Sequence, residues 1–224
     1  MAAPRRQRRQ RSGPPESIEL PALVAFHHAV LEPGEVYEDI DFAGCDLAGQ
    51  DATGVELVRC RVPHARLDDL RLARARVAEC LLEEVGASTL EAPDSTGRDT
   101  LLEGARVGAL RAGGAVWRDV RVRGGRIDFL DLTSSRLVSV AFDGGEIGEL
   151  DLGNAALREV TFAGCRIETL RLDEARCADV DLSGAVAGRI TGVTGMRGVT
   201  VSAAQLVELA PLLASSLGIR VADD

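Results

Sequence analysis

The chain has 224 residues, 46% of them apolar, which is enough for a domain with its own core and too many for a disordered chain. Aromatic residues make up only 3%, with one Trp, one Tyr and five Phe against 24 Gly, so the interior has to be built from small and branched aliphatics, as in a narrow, repetitive core. The net charge of −9 conceals an asymmetry: every positive residue is Arg, and Arg5, Arg6, Arg8, Arg9 and Arg11 precede any acid, so a basic arm leads an acidic body.

Residues 1–17 read as a disordered basic tail. The Arg run is not an export signal, because Pro14, Pro15, Glu16 and Glu19 follow it and the segment Leu20 to Leu31 is interrupted by His27 and His28. No stretch approaches 18 apolar residues, so no membrane span is expected. Cys45, Cys60, Cys80, Cys165 and Cys177 lack metal-type C-x-x-C spacing and fit reduced, apolar fillers in a cytoplasmic protein. Residues 18–40, with Leu20, Leu23, Val24, Phe26, Val30, Leu31 and Tyr37 out of any five-residue register, are expected to cap the first coil.

From about residue 40 to 190 the chain repeats every five residues. Phe42, Leu47, Ala52, Leu57 and Val62 open the apolar series, which runs unbroken from Leu102 to Leu182 and includes Leu132, Phe142, Leu152, Phe162 and Leu172. The residues two before them alternate in size, with Leu110, Val120, Leu130, Val140, Leu150, Val160 and Leu170 between Ala105, Ala115, Gly125, Ser135, Gly145, Ala155 and Cys165. A longer period of twenty gathers Leu70, Leu90, Leu110, Leu130, Leu150 and Leu170 into one column and Gly44, Gly104, Gly124, Gly144, Gly164 and Gly184 into another. Helical or simple strand periods would smear these columns. Four five-residue sides therefore make one turn, and the Gly column marks a corner outside the ordinary backbone regions.

The units Cys45-Asp46-Leu47, Ile40-Asp41-Phe42, Leu130-Asp131-Leu132, Leu150-Asp151-Leu152 and Val180-Asp181-Leu182 resemble the pentapeptide-repeat proteins, whose unit reads roughly A-[D/N]-[L/F]-x-x. The resemblance covers about 150 residues, with Arg in place of the acid at Arg61, Arg66, Arg71, Arg76, Arg121, Arg126, Arg166, Arg171 and Arg176. It implies an all-β solenoid, a right-handed quadrilateral β-helix, here of about eight coils over residues 41–200. At roughly 4.8 Å per coil such a rod is about 38 Å long. Two inward residues per unit leave room for Leu, Val, Phe and Ala, consistent with the scarcity of aromatics.

Block 81–100 is the weak coil, since Ala87, Ala92 and Gly97 occupy places where neighbouring coils carry Leu or Val. Gly97 and Trp117 share a column, so the indole is predicted to enter the space that Gly97 leaves. Cys60 and Cys80 stack on adjacent coils as reduced thiols. Residues 201–224 form a C-terminal helix and short extension: Ser202-Ala-Ala-Gln205 is a capping box leading into a helix over about 203–217 with Leu206, Leu209, Leu212 and Leu213 on its apolar side and Gly218 as its stop. Pro211 should bend or split it. That stripe either caps the last coil or also pairs with a second copy; the family resemblance implies a homodimer through this helix.

No catalytic residue, metal ligand or cofactor is expected. His27, His28 and His64 do not converge with other ligands, and the unbroken register leaves no loop insertion from which to shape a cleft. The reading is a non-catalytic interaction module or scaffold with a protein partner. The alternative, implied by the family resemblance, is a DNA mimic that binds DNA gyrase or another type II topoisomerase. An outward column of Glu79, Asp99, Asp119, Ser139, Glu159 and Asp179 supplies an acidic stripe for it, with Arg98, Arg118 and Arg158 beside it. Block charges alternate in sign along the coils, which suits a partner bearing both signs. Direct nucleic-acid binding has only the Arg tail and the Arg-rich coil 61–80 behind it and is not expected.

Overall fold

The computed structural model describes residues 13–27 and 30–220. The chain folds as a right-handed quadrilateral β-helix of about nine turns closed by one C-terminal helix. Among the described residues every strand pairing is parallel, in one sheet of 13 strands and one of 7. The twenty-residue period is the hydrogen-bonding register: Leu110 pairs with Leu130, Leu130 with Leu150 and Leu150 with Leu170. Strands such as Thr96–Glu103 and Val116–Arg123 span two faces across a corner, and Arg106–Arg111 and Arg126–Asp131 span the other two.

Alternation along each side sends the central residue and the one two before it inward. Phe42, Leu47, Leu110, Leu130, Leu132, Phe142, Leu150, Leu152, Phe162, Leu170 and Leu172 are all buried, whereas Trp117 is half-buried. The Phe142 and Phe162 rings stack with centroids 4.8 Å apart. Burying a side chain of this size contributes roughly 1.5–3 kcal/mol, so the stacked columns are the main favourable term.

The corners explain the polar half of the repeat. Asp41, Asp46, Asp51, Asp131, Asp151 and Asp181 each accept, through Oδ1, the backbone N–H two residues on, at 2.8–3.1 Å. The acid of the unit is thus a turn residue first and a surface charge second. Gly44, Gly104, Gly124, Gly144 and Gly164 have positive φ as expected, whereas Gly184 does not. His64 and Glu84 adopt the same left-handed conformation in that column, so the corner does not require glycine.

Both ends differ from the simple repeat. Val24–Ala25 pairs with Ile40–Asp41, and Val36–Glu38 pairs with Glu56–Val58, so the leading segment contributes strands to the ladder. The last coil pairs Val180 with Val199, one residue short of the period, after a 3-10 turn at Val193–Met196. The helix spans Ala203–Ser216 and continues through Pro211 without splitting, although Pro inside a helix removes one backbone hydrogen bond. Its Ser202 Oγ accepts from Gln205 N at 3.2 Å and Gln205 Oε1 accepts from Ser202 N at 2.7 Å, completing the capping box. Gly218 ends it with positive φ.

Candidate interaction surface

The residues of the acidic column lie on one corner of the rod. Glu79, Asp99, Asp119, Ser139, Glu159 and Asp179 all have φ between 47° and 57°, a conformation that short polar residues tolerate better than others. The corner is partly neutralised from within. Arg98 Nε lies 3.1 Å from Asp99 Oδ2 and Arg158 Nε lies 3.2 Å from Glu159 Oε1. Ser139 Oγ donates to Glu159 Oε2 at 3.0 Å. Toward the N-terminal end the same column carries Arg59, which binds Asp39 at 2.7 Å and also Glu38. Asp119 titrates above the ordinary carboxylate range, because partial burial and then the charges of Asp99 and Glu159 disfavour its ionised form.

The other faces carry ion pairs that bridge coils. Arg61 meets Glu83 at 2.6 Å, Arg126 meets Glu146 at 2.9 Å, Arg171 meets Glu149 at 2.7 Å, and Arg76 meets Glu56, while Arg126 also meets Asp128 of its own strand at 2.7 Å. Exposed pairs of this kind contribute only about 0–1 kcal/mol each, so their consequence is a surface of mixed sign rather than a large gain in stability.

An N-terminal strap is the feature that sequence reasoning missed. Residues 1–12 of the expected tail lie outside the described residues, but residues 13–17, expected to end that tail, lie on the solenoid with Pro15 buried. Arg121 Nε donates to the Pro15 carbonyl at 2.8 Å and Nη2 to Glu16 Oε1 at 2.8 Å, while Nη1 binds Asp143. Arg123 Nη2 donates to the Glu16 carbonyl at 3.0 Å and to its Oε2 at 3.1 Å. Arg121 is 12% exposed, and its guanidinium is satisfied by two carboxylates and a backbone carbonyl. From Val24, which pairs with Ile40 in the first coil, the strap reaches Arg121 across the register Asp41, Arg61, Leu81, Leu101, Arg121. Leu101 and Ala141 point outward from this face, outside the core cluster, yet are 3% and 4% exposed. Apolar residues at Leu81, Leu101 and Ala141, where other coils carry Arg61, Thr161 or Asp181, were the available signal.

At the opposite end Gln205 Nε2 donates to the carbonyls of Leu182 and Ala185, both at 2.8 Å, so the helix closes backbone acceptors of the last coil. Leu209 and Leu212 pack against the core and Leu213 is half-buried, while Leu206 is 50% exposed and Val207 and Leu217 are each 75% exposed. The stripe is therefore divided between cap and solvent.

All five cysteines are free thiols. The Cys60 backbone N–H donates to Cys80 Sγ at 3.4 Å, and Cys80 titrates upward through its contact with the Cys60 thiol and its burial. Burial pushes Cys165 up to about 11. Among the described residues no group of three or more His, Cys, Asp or Glu is placed to hold a metal ion, and no helix is long and apolar enough to cross a membrane. His27 and His64 lie apart from such a group, and His28 lies outside the described residues.

No family model matches the chain, and no curated protein does. Among solved structures, trypsin-treated QnrB1, a plasmid-mediated fluoroquinolone resistance protein, is 18% identical over 90% of this chain and 100% of that chain, with a TM-score of 0.34. Full-length QnrB1 is 20% identical over 84% and 92%, with a TM-score of 0.27. HetL, a pentapeptide-repeat protein involved in heterocyst differentiation regulation in a Nostoc cyanobacterium, is 18% identical over 74% and 86%, with a TM-score of 0.24. Overlaps this loose transfer no function, and it is the five-residue repeat, the four-sided coil and the stacked core of this chain itself that make it a β-solenoid.

Proposed function

We propose that the chain is a non-catalytic interaction module of the cytoplasm that binds a protein partner through its charged faces. The observation that carries this is the alternation of paired Arg and acid from coil to coil, typified by Glu146, Arg126 and Asp128, which offers both signs at fixed spacing to a complementary surface. A buried partner interface needs such complementarity more than a uniform field. Reduced thiols at Cys60, Cys80 and Cys165 fit the compartment.

The alternative, mimicry of DNA toward a type II topoisomerase, rests on the corner from Glu79 to Asp179. One column supplies at most one negative charge per coil, roughly every 4.8 Å. Duplex DNA carries one about every 1.7 Å, and Arg98 and Arg158 pair with two of the corner's acids. The density therefore favours the first reading. A supercoiling assay with purified gyrase separates the two: the proposal expects no inhibition at micromolar concentration, by the full chain or by one lacking residues 1–12, and inhibition would establish the mimic instead. Crosslinking in the native cell then tests the interaction itself, because the yield of a genuine partner should fall with the Arg126→Glu, Arg171→Glu double variant.

A further inference from the structure

The weak coil holds a partly open cavity of about 110 Å³, lined by Val77, Leu82, Ala92, Ser95, Leu102 and Trp117 among others. Its origin is legible in the columns. Ala92 and, on the next coil, Ala112 stand where Leu72, Leu132, Leu152 and Leu172 stand in other coils, and Gly97 stands below Trp117 where Leu137 and Leu157 stand above it. The indole enters the space over Gly97, as a Cβ there would lie 3.2 Å from Trp117 Cδ1, but it does not fill the coil. Val77, Leu82, Leu102 and Trp117 face inward and are nevertheless only half-buried, whereas Leu137, Phe142, Leu157 and Phe162 at the same places higher up are fully buried. The area these four retain is cavity wall.

The wall has a defined chemistry. No charged side chain lines it. Thr100 spends its hydroxyl on the Arg98 carbonyl at 2.9 Å. The Ser95 carbonyl accepts from the Val116 N–H at 2.9 Å, but its hydroxyl and the Trp117 indole N–H have no hydrogen bond to another described residue, and no sealed side-chain nitrogen or oxygen lacks a partner, so both groups face open space at the cavity. A charged ligand would lose its hydration without compensation, which excludes ions. An engineered apolar cavity of about 150 Å³ accepts benzene, so this one, about three-quarters of that volume, suits a molecule of about four or five heavy atoms.

We infer that this cavity is a binding site for a small neutral molecule with an apolar body and one hydroxyl-type group, the body against Val77, Leu82 and Leu102 and the polar group at Ser95 and Trp117. The site is independent of the charged outer faces. Trp117, the one Trp of the chain, reports occupancy directly.

The test is a titration of the full chain with cyclobutanol and with cyclopentane, following Trp117 emission and melting temperature. The expected result is a saturable change with both probes at one molecule per chain. Ala92→Leu should weaken both by more than about tenfold by occupying the space, and Ser95→Ala should weaken cyclobutanol about fivefold while leaving cyclopentane unchanged. Absence of a saturable change with either probe, or binding that survives Ala92→Leu, overturns the proposal. Should Ala92→Leu fail to fold, xenon-pressurised crystals of the unmodified protein decide the matter: density beside Ala92 and Trp117 supports the site, and density elsewhere or none refutes it.

Discussion

Gly97 has an ordinary backbone conformation, so its role is steric: a Cβ would meet Trp117 Cδ1 at 3.2 Å and Val120 Cγ2 at 3.4 Å. Gly97→Leu is therefore expected to cost about 1–3 kcal/mol through overpacking, read as a lowered melting temperature. An unchanged temperature would contradict the contact. Leu150 sits in the middle of the ladder with Leu130 and Leu170, fully buried, and Leu150→Asp would place an unpaired carboxylate there. That variant should not fold, and a soluble, cooperatively melting product would refute the register. The carboxylates divide by the sign of their shifts. Asp51 and Asp181 are held below the ordinary range by the Thr53 and Ser183 side chains, so their contribution is present above the unfolded pKa and is lost as pH falls through the folded value. Asp119 is raised, so at neutral pH its charge opposes folding and its protonation relieves the cost. Asp119→Asn, which keeps a residue tolerant of the left-handed corner, should raise the melting temperature at neutral pH, and the gain should vanish in acid where Asp119 is already protonated. A gain that persists undiminished at low pH would assign it to something other than charge.

Two elements flank the coils, and in each one polar side chain, Gln205 or Arg121, makes several of the holding bonds. Gln205 closes the capping box and also supplies donors to Leu182 and Ala185, so Gln205→Ala removes a cap and leaves two acceptors of the last coil open. The expected loss is about 1–2 kcal/mol by denaturant melting. The exposed part of the same helix, Leu206 and Val207, carries the proposal of a dimer: light scattering should report a dimer for the unmodified chain and a monomer for Leu206→Glu with Val207→Glu, and these exposed positions spare the cap. The N-terminal strap is held by Arg121 together with Arg123. Arg121→Ala deprives the Pro15 carbonyl and Glu16 of their shared donor, so limited proteolysis should nick residues 13–23 sooner while the coils stay resistant.

At the scale of the whole molecule, a solenoid is a one-dimensional stack in which each coil touches only its neighbours, so the cavity coil at 81–100 is its weakest joint and the strap is a tie running past that joint. The strap meets Arg121 from a position 106 residues away in sequence and begins below the cavity coil, so it links coils that do not touch one another. How much was legible beforehand follows the range of the cause. The period of twenty, the inward columns through Leu130 and Leu150, the Gly97 and Trp117 pairing and the capping box at Ser202 and Gln205 were determined by the sequence alone, because a repeat fixes the register by itself and a capping box is complete within four residues. The strap, the cavity and the division of the helix stripe between core and solvent were decided only by the tertiary structure. Pro14, Pro15 and Glu16 carry no local signal for where they dock, a cavity is a sum of side-chain volumes over several coils, and whether Leu209 or Leu206 is covered depends on how the helix lies across the last coil.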